Sequence, residues 1–109
     1  MGRSMIDEQR FESLKAEIGL DGMSLLAGVF LDEADQIMDQ LISHETDLAS
    51  GLHALHGSAL NLGLKQLAQL CSKAEKAAQD KGGQFIDMLE ISTSYHQSRA
   101  AFMAALNAT

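Results

Sequence analysis

Residues 48–78 read LASGLHALHGSALNLGLKQLAQLCSKAEKAA, and apolar residues recur at helical spacing on both sides of Gly63. The repeat before this glycine consists of Leu48, Leu52, Leu55, Ala59 and Leu62. The repeat after it consists of Leu64, Leu67, Leu70, Cys71, Ala74 and Ala78. Residues three and four positions apart share one face of an α-helix, so the stretch predicts two amphipathic helices that turn at Gly63. Thr46 or Asp47 can cap the first helix, and Lys81-Gly82-Gly83 ends the second.

The flanking segments carry the same helical pattern. Residues 7–18 predict a short lead-in helix with Phe11, Leu14 and Ile18 on its apolar face, and the helix ends at Gly19. A longer helix is predicted over about residues 23–44. Its apolar stripe consists of Leu26, Phe30, Ile37 and Leu41, flanked by Leu25, Val29, Met38 and Ile42. Its acidic face consists of Asp32, Glu33, Asp35 and Asp39. A final helix is marked by Phe85, Met88, Leu89, Ser92, Tyr95, Phe102, Met103 and Leu106.

The composition fits a fold made only of helices. The chain has 109 residues, contains no proline and is 5% aromatic, and its commonest residues are helix formers. Connections of a few residues cannot return the chain to the same end, so consecutive long helices run antiparallel. We therefore predict an all-α fold, an antiparallel up-down-up-down four-helix bundle with a short additional N-terminal helix. We expect residues 1–5 to be a vector remnant outside this fold and residues 6–109 to form one domain.

Charge and hydropathy exclude several classes of function. The formal net charge is −7, from fifteen acidic and eight basic residues, so the chain lacks the basic footprint that nucleic-acid binding requires. No segment approaches the run of about 20 apolar residues that spans a bilayer, and no signal-peptide layout is present. We therefore expect a cytoplasmic protein without nucleic-acid or membrane partners. The single cysteine, Cys71, cannot build a disulfide framework.

The helix over residues 48–62 has a histidine on its outer face. Placed every 100° around the helix, His53 falls roughly 150° from the leucine seam, and Gly57 lies one turn further along the same face. A glycine within a helix costs about 1 kcal/mol relative to alanine, so its presence beside an exposed histidine calls for a reason. Without a side chain at Gly57, a partner could reach the His53 imidazole, and Leu60 could supply apolar docking area. The alternative is an ordinary solvated histidine beside a tolerated glycine.

A family resemblance favours the functional interpretation. The run His53-Ala54-Leu55-His56-Gly57-Ser58-Ala59, with Gly63-Leu64 after it, resembles the phosphoacceptor signature of histidine-containing phosphotransfer (HPt) domains. That signature reads His-x-Leu-Lys-Gly-Ser/Ala-small, with a glycine that ends the helix and a leucine-rich helix after it. The run LLAGVFLDEA at residues 25–34 is similar to the family's preceding helix. Residues 6–108 can be laid on the family's helical bundle.

This resemblance implies a phosphorelay intermediate of a two-component signalling system rather than an enzyme. His53 would accept a phosphoryl group from the aspartate of one receiver domain and pass it to another, with response regulators or hybrid histidine kinases as partners. The chain would bind no cofactor, because the receiver would supply Mg²⁺ and most catalytic groups. Gly57, Ser58 and Leu60 would belong to the docking surface. Glu75 would orient the imidazole, since the residues across from His53 are expected between Ser72 and Lys76.

One position departs from the family pattern. His56 stands where the family usually has a lysine that can support the phosphoryl oxygens. A neutral His56 could still donate one N–H to them, and a protonated His56 would add positive charge. His56 could instead be the acceptor, although Gly57 clears less room for it than for His53.

Two other interpretations compete with phosphotransfer. The first is a helical adaptor that docks receiver domains without being phosphorylated. The second is a metal site, given the spacing of His53 and His56. No histidine here has a glutamate three positions before it, as di-iron bundles require, so we expect no metal site. Cys71 lies in an apolar seam and is expected to be a small buried hydrophobe rather than a reactive thiol.

Overall fold

The computed structural model describes residues 5–81 and 86–108, and these residues form helices without any strand. The helices are α1 (Glu8–Ile42), α2 (Leu48–Leu62), α3 (Lys65–Lys81) and α4 (Met88–Asn107). The predicted all-α bundle is confirmed. Within the described residues, no helix combines the length and apolar character that crossing a membrane requires. The predicted end of α3 at Gly82-Gly83 and the predicted core residue Phe85 lie outside these residues, as do residues 1–4.

The lead-in helix and the first long helix are the two parts of α1, which bends at Gly19. Gly19 has φ 73° and ψ 173°, a conformation that interrupts the helix and that glycine adopts without strain. The first part begins after Asp7, whose side chain accepts a hydrogen bond from the Arg10 backbone N–H. Met5 packs against the core. Ile18 was predicted on the apolar face of the lead-in helix, but it is 43% exposed, because it lies at the end of that helix next to the bend.

Two hydrogen bonds to backbone carbonyls fasten this lead-in part to the turn between α2 and α3. The Asp7 N–H donates to the Gly63 carbonyl at 2.7 Å, and the Arg10 side chain donates to the Asn61 carbonyl at 3.2 Å. Gly63 ends α2 as predicted, and its φ of 74° is the left-handed conformation that glycine commonly adopts after a helix. The turn between α2 and α3 is therefore stabilised both by its own backbone conformation and by hydrogen bonds from the N-terminal end of α1.

The α2 and α3 seams lie in the core as predicted. Leu52, Leu55, Leu67 and Cys71 are completely buried. Asp47, not Thr46, caps α2 by accepting a hydrogen bond from the Ser50 N–H at 3.0 Å. Burial raises the pKa of the Cys71 thiol to about 12, and the nearby Glu75 charge adds to the effect. The thiol thus stays protonated at neutral pH, which agrees with its predicted role as a small hydrophobe.

The predicted apolar stripe of α1 contacts the core, but the fully buried face of the helix is rotated away from the centre of that stripe. The buried residues beyond the bend are Met23, Ala27, Leu31, Ala34, Met38 and Leu41. Three residues assigned to the stripe or its flanks are exposed instead: Leu25, Val29 and Ile42. Ala27 and Ala34 account for the difference, because these two small residues lie on the buried face, where the sequence pattern gave weight to large apolar residues. The larger Leu26, Phe30 and Ile37 then pack at the edges of the contact.

The core side of α4 likewise includes small residues that the sequence pattern did not single out. Its buried residues are Ile91, Ser94, Tyr95, Ser98 and Phe102. Leu89, which was assigned to the apolar pattern, is 76% exposed. The Phe102 ring meets the Phe11 ring edge to face, with centroids 5.7 Å apart, and this contact joins α4 to the lead-in part of α1.

A polar cluster ties α4 to α1 beside this core. The buried Tyr95 hydroxyl donates to the Asp35 carboxylate, and Arg99 donates to both Asp35 oxygens, at 3.3 and 3.2 Å. Burial alone would raise the pKa of Asp35, but the hydrogen bonds from Arg99 and Tyr95 outweigh it and lower the pKa. Burial and the bond to Asp35 raise the pKa of Tyr95. One carboxylate of the predicted acidic face is therefore a structural partner of α4.

Removing the hydroxyl of this cluster should weaken the fold without disturbing its packing. We expect Tyr95→Phe to lower the free energy of unfolding by about 1 kcal/mol, because the lost bond goes to a charged but partly exposed acceptor. Urea denaturation at pH 7 measures this difference. The lowered pKa of Asp35 means that its contribution to stability is complete above about pH 4 and is lost as the pH falls further. The gap between the two proteins should therefore narrow in acid, and an equal stability at pH 7 would contradict the assignment.

Candidate functional site

His53 lies on the outer face of α2, opposite the buried leucines. Leu52 and Leu55 have no exposed surface, whereas the His53 side chain is 80% exposed. Core burial of the leucines fixes the rotation of the helix, and this rotation presents the imidazole to the surroundings. The predicted exposure of His53 is therefore confirmed.

Glu75 reaches the same place from α3. Its neighbours Cys71 and Ala74 face the core, so Glu75 lies on the flank of α3 that adjoins α2. The Glu75 Oε1 atom is 2.8 Å from Nδ1 of His53, and Oε2 is 2.8 Å from Nδ1 of His56. Glu75 falls inside the interval that was predicted to lie across from His53. Its simultaneous contact with both histidines was not predicted.

The hydrogen bonds to Glu75 fix the tautomer of each imidazole. A carboxylate only accepts hydrogen bonds, so Nδ1 of His53 and Nδ1 of His56 must both carry a proton and donate it. In a neutral ring the lone pair is then on Nε2. For His53 this nitrogen belongs to a side chain that is mostly exposed. Glu75 therefore positions the His53 ring through Nδ1, and Nε2 on the opposite side of the ring keeps a nucleophilic lone pair.

His56 occupies a more enclosed position, with 25% of its side chain exposed. The N–H that a neutral His56 was expected to offer to phosphoryl oxygens is donated to Glu75 instead. The expectation that neutral His56 replaces the family's lysine in this way is thus not met by the geometry. A protonated His56 could still contribute positive charge and an Nε2–H.

The surface around His53 contains open space and one exposed apolar side chain. A Cβ atom added at Gly57 would meet nothing within 4 Å, and Leu60 is 58% exposed. Both positions are accessible from outside, and their assignment to a docking surface stays a prediction. Ser58 was also assigned to that surface, but it is only 6% exposed because it lies on the core side of α2, between Leu55 and Leu62. It therefore cannot supply a docking side chain.

The same three residues are the ones that could hold a metal ion. Within the part of the chain that the structure describes, His53, His56 and Glu75 each offer a ligand atom, and these atoms lie within 4.8 Å of one another. The spacing of His53 and His56 in α2 offers only two of these ligands. Glu75 is distant in sequence and joins them only through the packing of α3 against α2.

Comparison with known proteins places these residues in a family context. The family model described as "Hpt domain" matches residues 25–101, which include all three residues. The chain is also similar to the phosphorelay protein LuxU of Vibrio harveyi, with 28% identity over 117 aligned positions. That alignment covers 98% of this chain and 100% of the relative. No solved structure gives a significant match.

Proposed function

Because this chain belongs to the Hpt domain family, we propose that it is a phosphorelay intermediate in two-component signalling, with His53 as its phosphoacceptor. The observation that supports this assignment best is the exposed His53 imidazole, held through Nδ1 by Glu75 with its Nε2 left free. The similarity to a phosphorelay protein over nearly the whole chain points the same way. The protein is thereby a carrier of phosphoryl groups rather than a catalyst.

The proposed transfer begins with attack of the His53 Nε2 lone pair on the phosphorus of a receiver's aspartyl phosphate. The N–P bond forms as the bond between phosphorus and the aspartate oxygen breaks, and the aspartate leaves as a carboxylate. Nδ1 keeps its proton, so the phosphorylated ring is positively charged. Glu75 faces that charge and accepts the Nδ1–H hydrogen bond, which stabilises the phosphorylated ring. The second receiver reverses these steps.

Partner receiver domains are proposed to supply the remaining groups. Phosphoryl transfer depends on in-line positioning and on neutralising the charge of the transferred group, normally with Mg²⁺. We assign the Mg²⁺ ion to the receiver, together with the acidic residues that bind it. The open space over Gly57 and the apolar Leu60 side chain are the features that would let a receiver surface approach His53.

The test is transfer from a radiolabelled, phosphorylated receiver domain to this protein. We expect label on the protein that is lost in acid and stable in base, as a phosphoramidate is, and that moves to a second receiver when one is added. The adaptor alternative gives a different result, because an adaptor binds receivers without acquiring label. Binding of several phosphorylated receivers without any transfer would therefore contradict the carrier assignment.

A further inference from the structure

We propose that His53, His56 and Glu75 form a binding site for a divalent transition metal ion of the Zn²⁺ type, and that metal at this site prevents phosphorylation of His53. The first part stands on the geometry of the three side chains. The second part rests on the proposed function, because it concerns the same nitrogen atoms.

The three side chains match the ligand chemistry and spacing of such ions. Imidazole nitrogen and carboxylate oxygen are ordinary zinc ligands, with bonds of about 2.0–2.2 Å. Two ligand atoms on one tetrahedral ion are then about 3.4 Å apart. The carboxylate oxygens of Glu75 are 2.8 Å from the histidine nitrogens, and one ligand atom from each residue falls within 4.8 Å of the other two. Side-chain shifts of roughly an ångström would bring all three around one ion.

The fold fixes two ligands and leaves the third accessible. The side chains of Glu75 and His56 are only 15% and 25% exposed. His53, at 80% exposure, can adjust by rotation. Three protein ligands with an open side correspond to a zinc site that keeps its fourth position for water or another small ligand.

The site depends on the residue in which this chain departs from its family. Lysine at position 56 would place an ammonium group beside Glu75, and an ammonium group has no lone pair for a metal. Histidine at the same position supplies an imidazole one helical turn from His53, since residues i and i+3 are neighbours on a helix surface. His56 thereby converts a hydrogen-bonded pair into a set of three ligands.

Metal binding and phosphorylation compete for the same lone pairs. If Nδ1 of His53 binds the metal, the ring proton moves to Nε2, and Nε2 has no lone pair with which to attack phosphorus. If Nε2 binds the metal, its lone pair is already donated. Phosphorylation at Nε2 in turn leaves Nδ1 protonated and bonded to Glu75. Each event therefore weakens the other, as reciprocal linkage requires.

The first experiment titrates the purified protein with Zn²⁺ in competition with a chromophoric chelator. We expect one ion per chain, and affinity at least about tenfold lower in His56→Lys and in Glu75→Gln. His96→Gln is the control, because His96 is an exposed histidine on α4 and should leave the affinity unchanged. Binding that is equally tight in all four proteins, or absent from the wild type, would overturn the site. None of these outcomes depends on phosphotransfer.

The second experiment measures transfer from a phosphorylated receiver with and without one equivalent of Zn²⁺. We expect Zn²⁺ to slow labelling of the wild type by about tenfold and to leave His56→Lys nearly unaffected, because linkage acts only where the ion binds. The variant in the same mixture controls for any effect of Zn²⁺ on the receiver. Equal slowing of both proteins would overturn the competition. Absence of label on both proteins without Zn²⁺ would instead count against the proposed function, and the titration would still decide the metal site.

Discussion

Replacing His53 with glutamine will abolish phosphoryl labelling of this protein, whereas replacing His56 with glutamine will leave labelling in place. The glutamine amide can still donate to Glu75, so either substitution keeps that hydrogen bond available. It removes the imidazole, however, and with it the only nucleophilic nitrogen at the position. His53 presents its Nε2 from a side chain that is 80% exposed, while the His56 side chain is only 25% exposed. In-line attack needs approach to the nitrogen from outside, and this requirement favours His53.

The measurement is incorporation of label after incubation with a phosphorylated receiver, with thermal unfolding of each variant as the control for folding. We expect no detectable label on His53→Gln. We expect a reduced rate of labelling on His56→Gln, because glutamine cannot add positive charge near the phosphoryl group. Label that persists on His53→Gln and disappears from His56→Gln would identify His56 as the acceptor. Because both side chains lie at the surface or its edge, neither substitution should shift the unfolding midpoint greatly.

The fold was predictable wherever one large apolar residue per turn marks the buried face. Leu52, Leu55 and Leu67 define such faces on α2 and α3, and the structure buries all three completely. On α1 the buried face was predicted at the wrong rotation about the helix axis, because the prediction favoured the positions of the largest apolar side chains. Close helix packing selects small residues as well as large ones, and Ala27 shares the buried face with Leu31. Which of two adjacent apolar stripes faces inward is decided by the neighbouring helices, and no single-helix pattern contains that information.

The site divides in the same way into features that follow from the pattern of one helix, which were predicted, and features that depend on packing between helices, which were not. His53 could be placed on the outer face by the helical period alone, because its rotation follows from the leucines beside it. Glu75 could be assigned to the adjoining region by counting residues from Gly63. Its contact with two imidazoles depends on the distance between α2 and α3 and on side-chain rotamers. The assignment of Ser58 to the docking surface was wrong because it followed the family motif. The helical period alone places Ser58 among the buried residues of α2.

Substitutions at Gly57 should affect stability and phosphotransfer in opposite directions. Replacing this glycine with a better helix former should stabilise the fold, whereas a bulky side chain should block transfer. A Cβ atom added at Gly57 meets nothing within 4 Å, and the position is inside α2. Gly57→Ala should therefore raise the free energy of unfolding by up to about 1 kcal/mol, through the helix propensity alone. Gly57→Phe should also fold, but its ring would cover the approach to His53. We expect the transfer rate to fall by about 100-fold, since small displacements of reacting groups have effects of that size.

Gly28 offers a matched control for this prediction. It also lies inside a helix with nothing within 4 Å of an added Cβ, but it borders the groove between α1 and α4 that Arg99 and Met103 line. Gly28→Ala should therefore bring the same gain in stability as Gly57→Ala, and Gly28→Phe should leave the transfer rate unchanged. Urea denaturation and transfer kinetics on the four variants separate the two effects. Rapid transfer by Gly57→Phe would show that receivers reach His53 from another direction, and the helix-propensity cost of this glycine would then have no functional explanation.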